Sequence, residues 1–237
     1  MQSSKAGSGR RRFSGLVVGA AVLLAASPLL AENSSNGAQS PARDQAREVV
    51  VATTSESTLN IGYFDRADLP EEVMRAMQGE VERLLREFGI TVATFDANDL
   101  SNSDAMPAGT LLRVMIWERL PETWKVPRHT MGLCPDSGQL PRGVYIFEPA
   151  ILRELGLATR GINSMRAEDV GRAFGRVVAH EVVHAFATFV GEDRHRGNGL
   201  MGRALDKETM LRPALSVDER SGAALRGGLA KAAGSGG

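Results

Sequence analysis

Between Ala167 and Val190, apolar side chains recur at helical spacing: Val170, Phe174, Val178, Val182, Ala185 and Phe189 follow at steps of four, four, four, three and four. Such a series lays one continuous apolar stripe along an α-helix. Val177 and Phe186 add apolar surface elsewhere on the circumference, so the helix is expected to lie in the body of a domain. Its ends are signalled too. Asn163 or Ser164 is available as an N-cap, Glu168 and Asp169 place negative charge in the first turn, and Gly191 suits the left-handed position after the last.

Upstream the pattern alternates between two periods. Leu59 to Phe64 reads as a strand, and Pro70 to Phe88 as a helix with Val73, Met77, Val81, Leu84 and Leu85 on its apolar face, ended by Gly89. Ile90 to Phe95, Leu111 to Trp117 and Val144 to Phe147 read as further strands. The order strand, helix, strand, strand, strand, helix predicts a mixed sheet with helices packed on it, and the length suits one domain. Downstream, Ser216 and Glu219 form a capping box for a short helix ending near Arg226. Residues 32–57 are rich in small polar residues and read as a disordered lead-in running into the start of the domain at 58; residues 227–237, rich in Gly, Ala and Ser, read as a disordered tail.

The long buried helix carries His180, Glu181, Val182, Val183 and His184, the string HExxH. At 3.6 residues per turn, His180 and His184 leave one face one turn apart, where both imidazoles can reach a single zinc ion. Glu181 lies about 100° round the helix from His180, off the metal but beside its open position, where a carboxylate can take a proton from zinc-bound water. Two histidines at that spacing can also be packed as core residues; a third nitrogen nearby argues for metal. His195 follows eleven residues after His184. The helix climbs about 9 Å from His184 to Val190, and the five residues beyond can span roughly 17 Å, so the chain can return with slack. Asp193, Glu208 and Glu219 are the competing third ligands.

HExxH, a glycine turn, a third histidine and a methionine-bearing turn resemble the metzincin branch of zinc metallopeptidases, and within it small exported bacterial zincin-like proteins. The resemblance is specific from His180 to Met201 and extends weakly over Thr58 to Arg226. It implies an α+β, zincin-like fold: a mixed twisted sheet with a backing helix and a buried HExxH active-site helix. It further implies Zn2+ held by His180, His184 and His195, Glu181 as catalytic base, and Met201 in the turn under the metal. The chain departs from the HExxHxxGxxH pattern, having Ala187 and Val190 where glycine and histidine would stand, so its active-site helix is expected to run about a turn longer before reversing. The resemblance also places an edge strand for substrate within Pro121 to Pro141, with Thr130 to Leu133 as its candidate. Cys134, the single cysteine, excludes an intramolecular disulfide and is either an inhibitory latch on the metal, as in some metzincins, or a small buried hydrophobe.

Lys5, Arg10, Arg11 and Arg12 precede an apolar run from Gly15 to Ala26, then Ser27, Pro28 and Ala31, which reads as a signal peptide over residues 1–31. Export to the periplasm or exterior is expected, with no stable membrane association after cleavage. Removing those four cations from a balance of 28 against 28 leaves a net charge of −4, which calls for no nucleic-acid partner. The expected function is therefore an exported zinc-dependent peptidase, most simply an endopeptidase, that hydrolyses peptide bonds of a peptide or protein substrate by zinc-activated water with Glu181 as general base. The alternatives are a non-catalytic zincin-like binding or scaffold protein, and metal-water chemistry on a non-peptide amide or ester.

Overall fold

The computed structural model describes residues 57–97, 109–121, 123–135, 143–157, 166–190, 195 and 199–234, all within one compact unit, Ala52–Gly237. The leader and most of the lead-in therefore lie outside the described residues, as do Asn163, Ser164, Gly191 and Asp193. The elements run β1 (Ser57–Arg66), α1 (Glu71–Arg86), β2 (Ile90–Asp96), β3 (Thr110–Trp117), β4 (Gly132–Leu133), β5 (Gly143–Phe147), α2 (Glu148–Leu155), α3 (Ala167–Phe189), α4 (Lys207–Leu211) and α5 (Glu219–Gly234).

The strands form one mixed sheet in the order β2-β1-β3-β5-β4. The first four are parallel, and β4 runs antiparallel to β5 at the outer edge, Gly132 opposite Ile146 and Leu133 opposite Tyr145. Register aligns the apolar face: Ile61 stands beside Leu112, Val114 beside Val144 and Ile116 beside Ile146, all six fully buried. They share one core with Val73, Met77, Val81 and Leu84 of α1 and with Val170, Phe174, Val178 and Val182 of α3. Fully burying a side chain of this size contributes about 1.5–3 kcal/mol, so the stripe read from sequence is the main attachment of α3.

Helices α1 and α3 approach closely because α3 presents Gly171 and Gly175 one turn apart. A Cβ on Gly171 would sit 2.6 Å from the Val73 carbonyl oxygen, and one on Gly175 would sit 2.7 Å from that of Met77. Helix α1 ends where the sequence signals it, with Gly89 at φ +69. No helix among the described residues is long and apolar enough to cross a membrane.

Three expectations are corrected. Residues 227–234 belong to α5 and are not part of a disordered tail. The small residues that read as disordered are what let the helix dock: a Cβ on Gly228 would lie 2.2 Å from the Phe186 carbonyl oxygen. The start of α5 is bound by Asp218, whose carboxylate accepts from the Ser221 N–H at 3.0 Å and the Ser221 hydroxyl at 2.6 Å, where Ser216 was expected to cap. Helices α2 and α4 are additional elements, and α2 follows β5 without a break, Glu148 directly after Phe147.

Candidate metal centre

Helix α3 carries both HExxH histidines into the interior: His180 and Glu181 are each 8% exposed and His184 is 9%. Their Nε2 atoms lie 2.9 Å apart. His195, an exposed residue, brings its own Nε2 to 3.2 Å from that of His184. The three rings thus converge, with one ligand atom from each lying within 4.8 Å of the others.

His180 Nδ1 lies 2.7 Å from the Leu200 carbonyl oxygen, which can only accept, so Nδ1 carries the hydrogen and Nε2 of the neutral ring is left with a lone pair. That lone pair faces His184 Nε2, which in turn faces His195 Nε2; one N–H on His184 cannot serve two acceptors in different directions. A shared cation satisfies all three. Around a tetrahedral zinc with bonds of about 2.0–2.1 Å, ligand nitrogens stand about 3.3 Å apart, close to the spacing here. The residues present fit a three-histidine metal site, and the Leu200 carbonyl supplies the outer hydrogen bond that orients a ligating imidazole.

The Leu200 carbonyl belongs to a tight turn, Gly199 to Gly202, closed by a bond from the Gly202 N–H to the Gly199 carbonyl at 2.9 Å. Met201 is buried in this turn, 2% exposed. A second bond, from the Leu200 N–H to the Ser216 carbonyl at 3.3 Å, ties it to the segment ahead of α5. The turn expected to lie beside the metal is therefore joined to His180 through its backbone.

Strand β4 crosses Glu181. A Cβ on Gly132 would fall 2.6 Å from both Glu181 Cγ and Oε1, so only glycine lets the carboxylate stand against the strand. Gly132 falls within the segment expected to hold an edge strand; the strand itself spans Gly132–Leu133, with the Met131 carbonyl accepting from the Phe147 N–H at 2.8 Å.

The competing ligands lie elsewhere. Glu208 is exposed and 3.5 Å from Arg212, Glu219 is exposed and 2.7 Å from Arg226, and neither joins the histidine group. Cys134 is half-buried, packed against the core, and is not part of the histidine group among the described residues. Arg194 and Arg196, which flank His195 in sequence, are not among the described residues.

One turn before His180, Arg176 is fully buried. Its Nε donates to Glu80 Oε1 of α1 at 2.8 Å, and its Nη1 donates to the Thr209 and Met210 carbonyls at 2.7 and 3.1 Å. Burial pushes the Glu80 carboxyl up, but hydrogen bonds from Arg83 and Arg176 outweigh it and hold the group below the usual carboxylate range. This clamp joins α1, α3 and α4 behind the histidines. Its sequence signal was an arginine flanked by Gly175, Val177 and Val178 in a helix read as buried, which demands a partner.

No family model matches the chain, and neither does any curated protein. Among solved structures the chain is similar to archaemetzincin from Methanopyrus kandleri, at 13% identity and a TM-score of 0.45, with 76% of this chain and 99% of that one covered. A likeness of that extent leaves the chemistry to be argued from this chain's own residues.

Proposed function

We propose that this protein is an exported zinc-dependent peptidase of zincin-like fold, acting on peptide or protein substrates, with Glu181 as its general base. The observation that carries it is the convergence of three histidine Nε2 atoms beside a buried glutamate that lies against the outermost strand of the described sheet. Zinc, when bound by His180, His184 and His195, would polarise a scissile carbonyl and bring the pKa of water towards ~7.

The protein's own residues supply the rest. The Leu200 carbonyl keeps the proton of His180 on Nδ1, so that Nε2 stays a neutral donor atom for the metal. Glu181 follows His180 directly, and its carboxylate takes the proton of the attacking water and returns it to the leaving amine. Burial under Gly132 limits the rotamers open to Glu181 and keeps bulk water from its flank. Strand β4, paired on one side only among the described residues, offers backbone N–H and C=O groups to an extended peptide next to that carboxylate.

A non-catalytic scaffold is the second reading, and Glu181 speaks against it. A structural zinc has no use for a base and is usually closed by a fourth protein ligand, whereas the group among the described residues has three.

Metal analysis of the wild type and of His195→Ala, with a peptide-library cleavage assay on the same samples, tests the proposal. One zinc per chain and cleavage are expected in the wild type, with both reduced in the variant. A wild type that binds no zinc would end the metallopeptidase proposal, and unchanged zinc in the variant would remove His195 alone. N-terminal sequencing of the exported product tests the leader, with cleavage expected after Ala31.

A further inference from the structure

The chain leading into β4 borders a cavity of about 380 Å³ whose wall is mostly apolar and carries three arginines. Arg119, Arg128 and Arg153 line it together with Thr130 and Phe147, and Glu118 is its one carboxylate. Three cations against one carboxylate leave the balance positive. Glu118 comes no nearer than 3.9 Å to Arg119, with the two side chains 60% and 86% exposed, the kind of pair that contributes almost nothing. Arg153 is tethered through a single nitrogen, Nη2, to the carbonyl oxygens of Arg128 at 2.9 Å and Pro149 at 3.4 Å, which leaves its other N–H groups to a ligand. Neither Arg128 nor Arg153 has a carboxylate partner among the described residues. Three arginines at a small hollow otherwise walled by Leu120, Phe147, Pro149 and Ala150 favour an anion carried on a short apolar stem, whose planar head arginine can meet with two parallel hydrogen bonds. The volume is at the lower end for ligand pockets and suits a side chain.

Its place in the fold names the bearer of that anion. Thr130 precedes Gly132 by two residues, and Gly132 stands against Glu181. Two residues, at most roughly 7 Å of chain, therefore separate the cavity's edge from the strand residue that meets the carboxylate. We propose that this cavity binds the carboxylate side chain of an aspartate or glutamate in an extended peptide laid along β4, about two residues from the bond beside Glu181. The proposal rests on the peptidase reading for the identity of the ligand, not for the existence of the anion site.

The test uses the full chain carrying Glu181→Gln and fluorescein-labelled peptides in which one position, walked along the sequence, holds Glu, Gln or Lys. Fluorescence anisotropy is expected to show a register at which Glu binds about tenfold tighter than Gln, as one or two exposed charge-assisted hydrogen bonds give. Adding Arg119→Gln and Arg128→Gln together should remove that preference while leaving affinity for the Gln peptide and zinc content unchanged. Equal affinity for Glu and Gln at every register, no binding of either, or a preference that survives the double substitution would overturn the proposal. Cleavage of the same peptides by the wild type reports separately. Hydrolysis without acidic preference sinks the cavity and keeps the peptidase, whereas arginine-dependent binding without hydrolysis does the reverse.

Discussion

Gly132 of β4 and Glu181 of α3 occupy each other's space: a methyl group on the glycine would fall 2.6 Å from the carboxylate's Oε1. The atoms it meets are the end of a side chain that can rotate away, so Gly132→Ala should fold normally and displace the base. Zinc content and thermal midpoint are expected to match the wild type, with hydrolysis lower by about tenfold or more, the scale at which small misplacements of a catalytic group act. Full activity in that variant would mean that the carboxylate is not working from its observed position.

His184 is the common neighbour of the other two histidines, 2.9 Å from one and 3.2 Å from the other. His184→Ala should therefore abolish zinc binding, where His195→Ala weakens it. Chelation should lower the thermal midpoint of the wild type and leave that of His184→Ala unchanged, because only a ligand bound to the native state stabilises it. Differential scanning calorimetry with and without chelator reads this directly.

The clamp at Arg176 makes a separate demand on stability. Glu80→Ala leaves a fully buried guanidinium without its carboxylate and should cost about 3–5 kcal/mol in urea unfolding. A loss below about 1 kcal/mol would mean that water reaches Arg176 and that the α1–α3 contact is looser than described.

Much of this was legible from periodicity, and the exceptions have physical causes. β1, α1, β2, β3, β5 and α3 match their sequence patterns to within one or two residues at most ends, because each buries one face and burial fixes the period. Helix α2 was missed because β5 runs straight into it: Phe147 and Glu148 are both buried, and no polar break marks the change. Helix α5 was cut short because glycine and alanine count against a core in composition, yet at Gly228 the lack of a side chain is what allows contact with Phe186. HExxH picked out the two converging histidines of α3 from local spacing alone. The Leu200 carbonyl, Gly132 and Glu80 reach the site from distant parts of the chain, where no short motif signals them.

Docking of α5 gives its own test. Gly228→Ala meets backbone, which cannot swing aside, so a loss of about 1–3 kcal/mol is expected from overpacking. A neutral or stabilising effect, the ordinary result of Gly→Ala in an exposed helix, would mean that residues 227–234 do not seat on α3.

Glu148 introduces a pH dependence. Burial first, then the charges of Glu118 and Asp65, push its carboxyl up to about 7. Because the folded value lies above the unfolded one, the native state holds the proton more tightly. Stability is then lost as pH rises from about 4.5 towards 7, and the loss is complete above that window. Glu148→Gln keeps the neutral shape. Its stability should match the wild type near pH 4.5 and exceed it at pH 8 by up to about 3 kcal/mol, measured as the difference between urea midpoints at each pH.

Hydrolysis of a susceptible peptide by zinc-loaded Glu181→Gln, measured beside the wild type at equal zinc content, addresses the chemistry itself. Glutamine preserves the size and shape of the side chain but cannot take up the proton of the attacking water, so one zinc per chain with turnover lowered about a thousandfold or more is expected, the upper range for a general base. Unchanged turnover at full zinc occupancy would contradict the assignment of Glu181 and, with it, the proposed reaction.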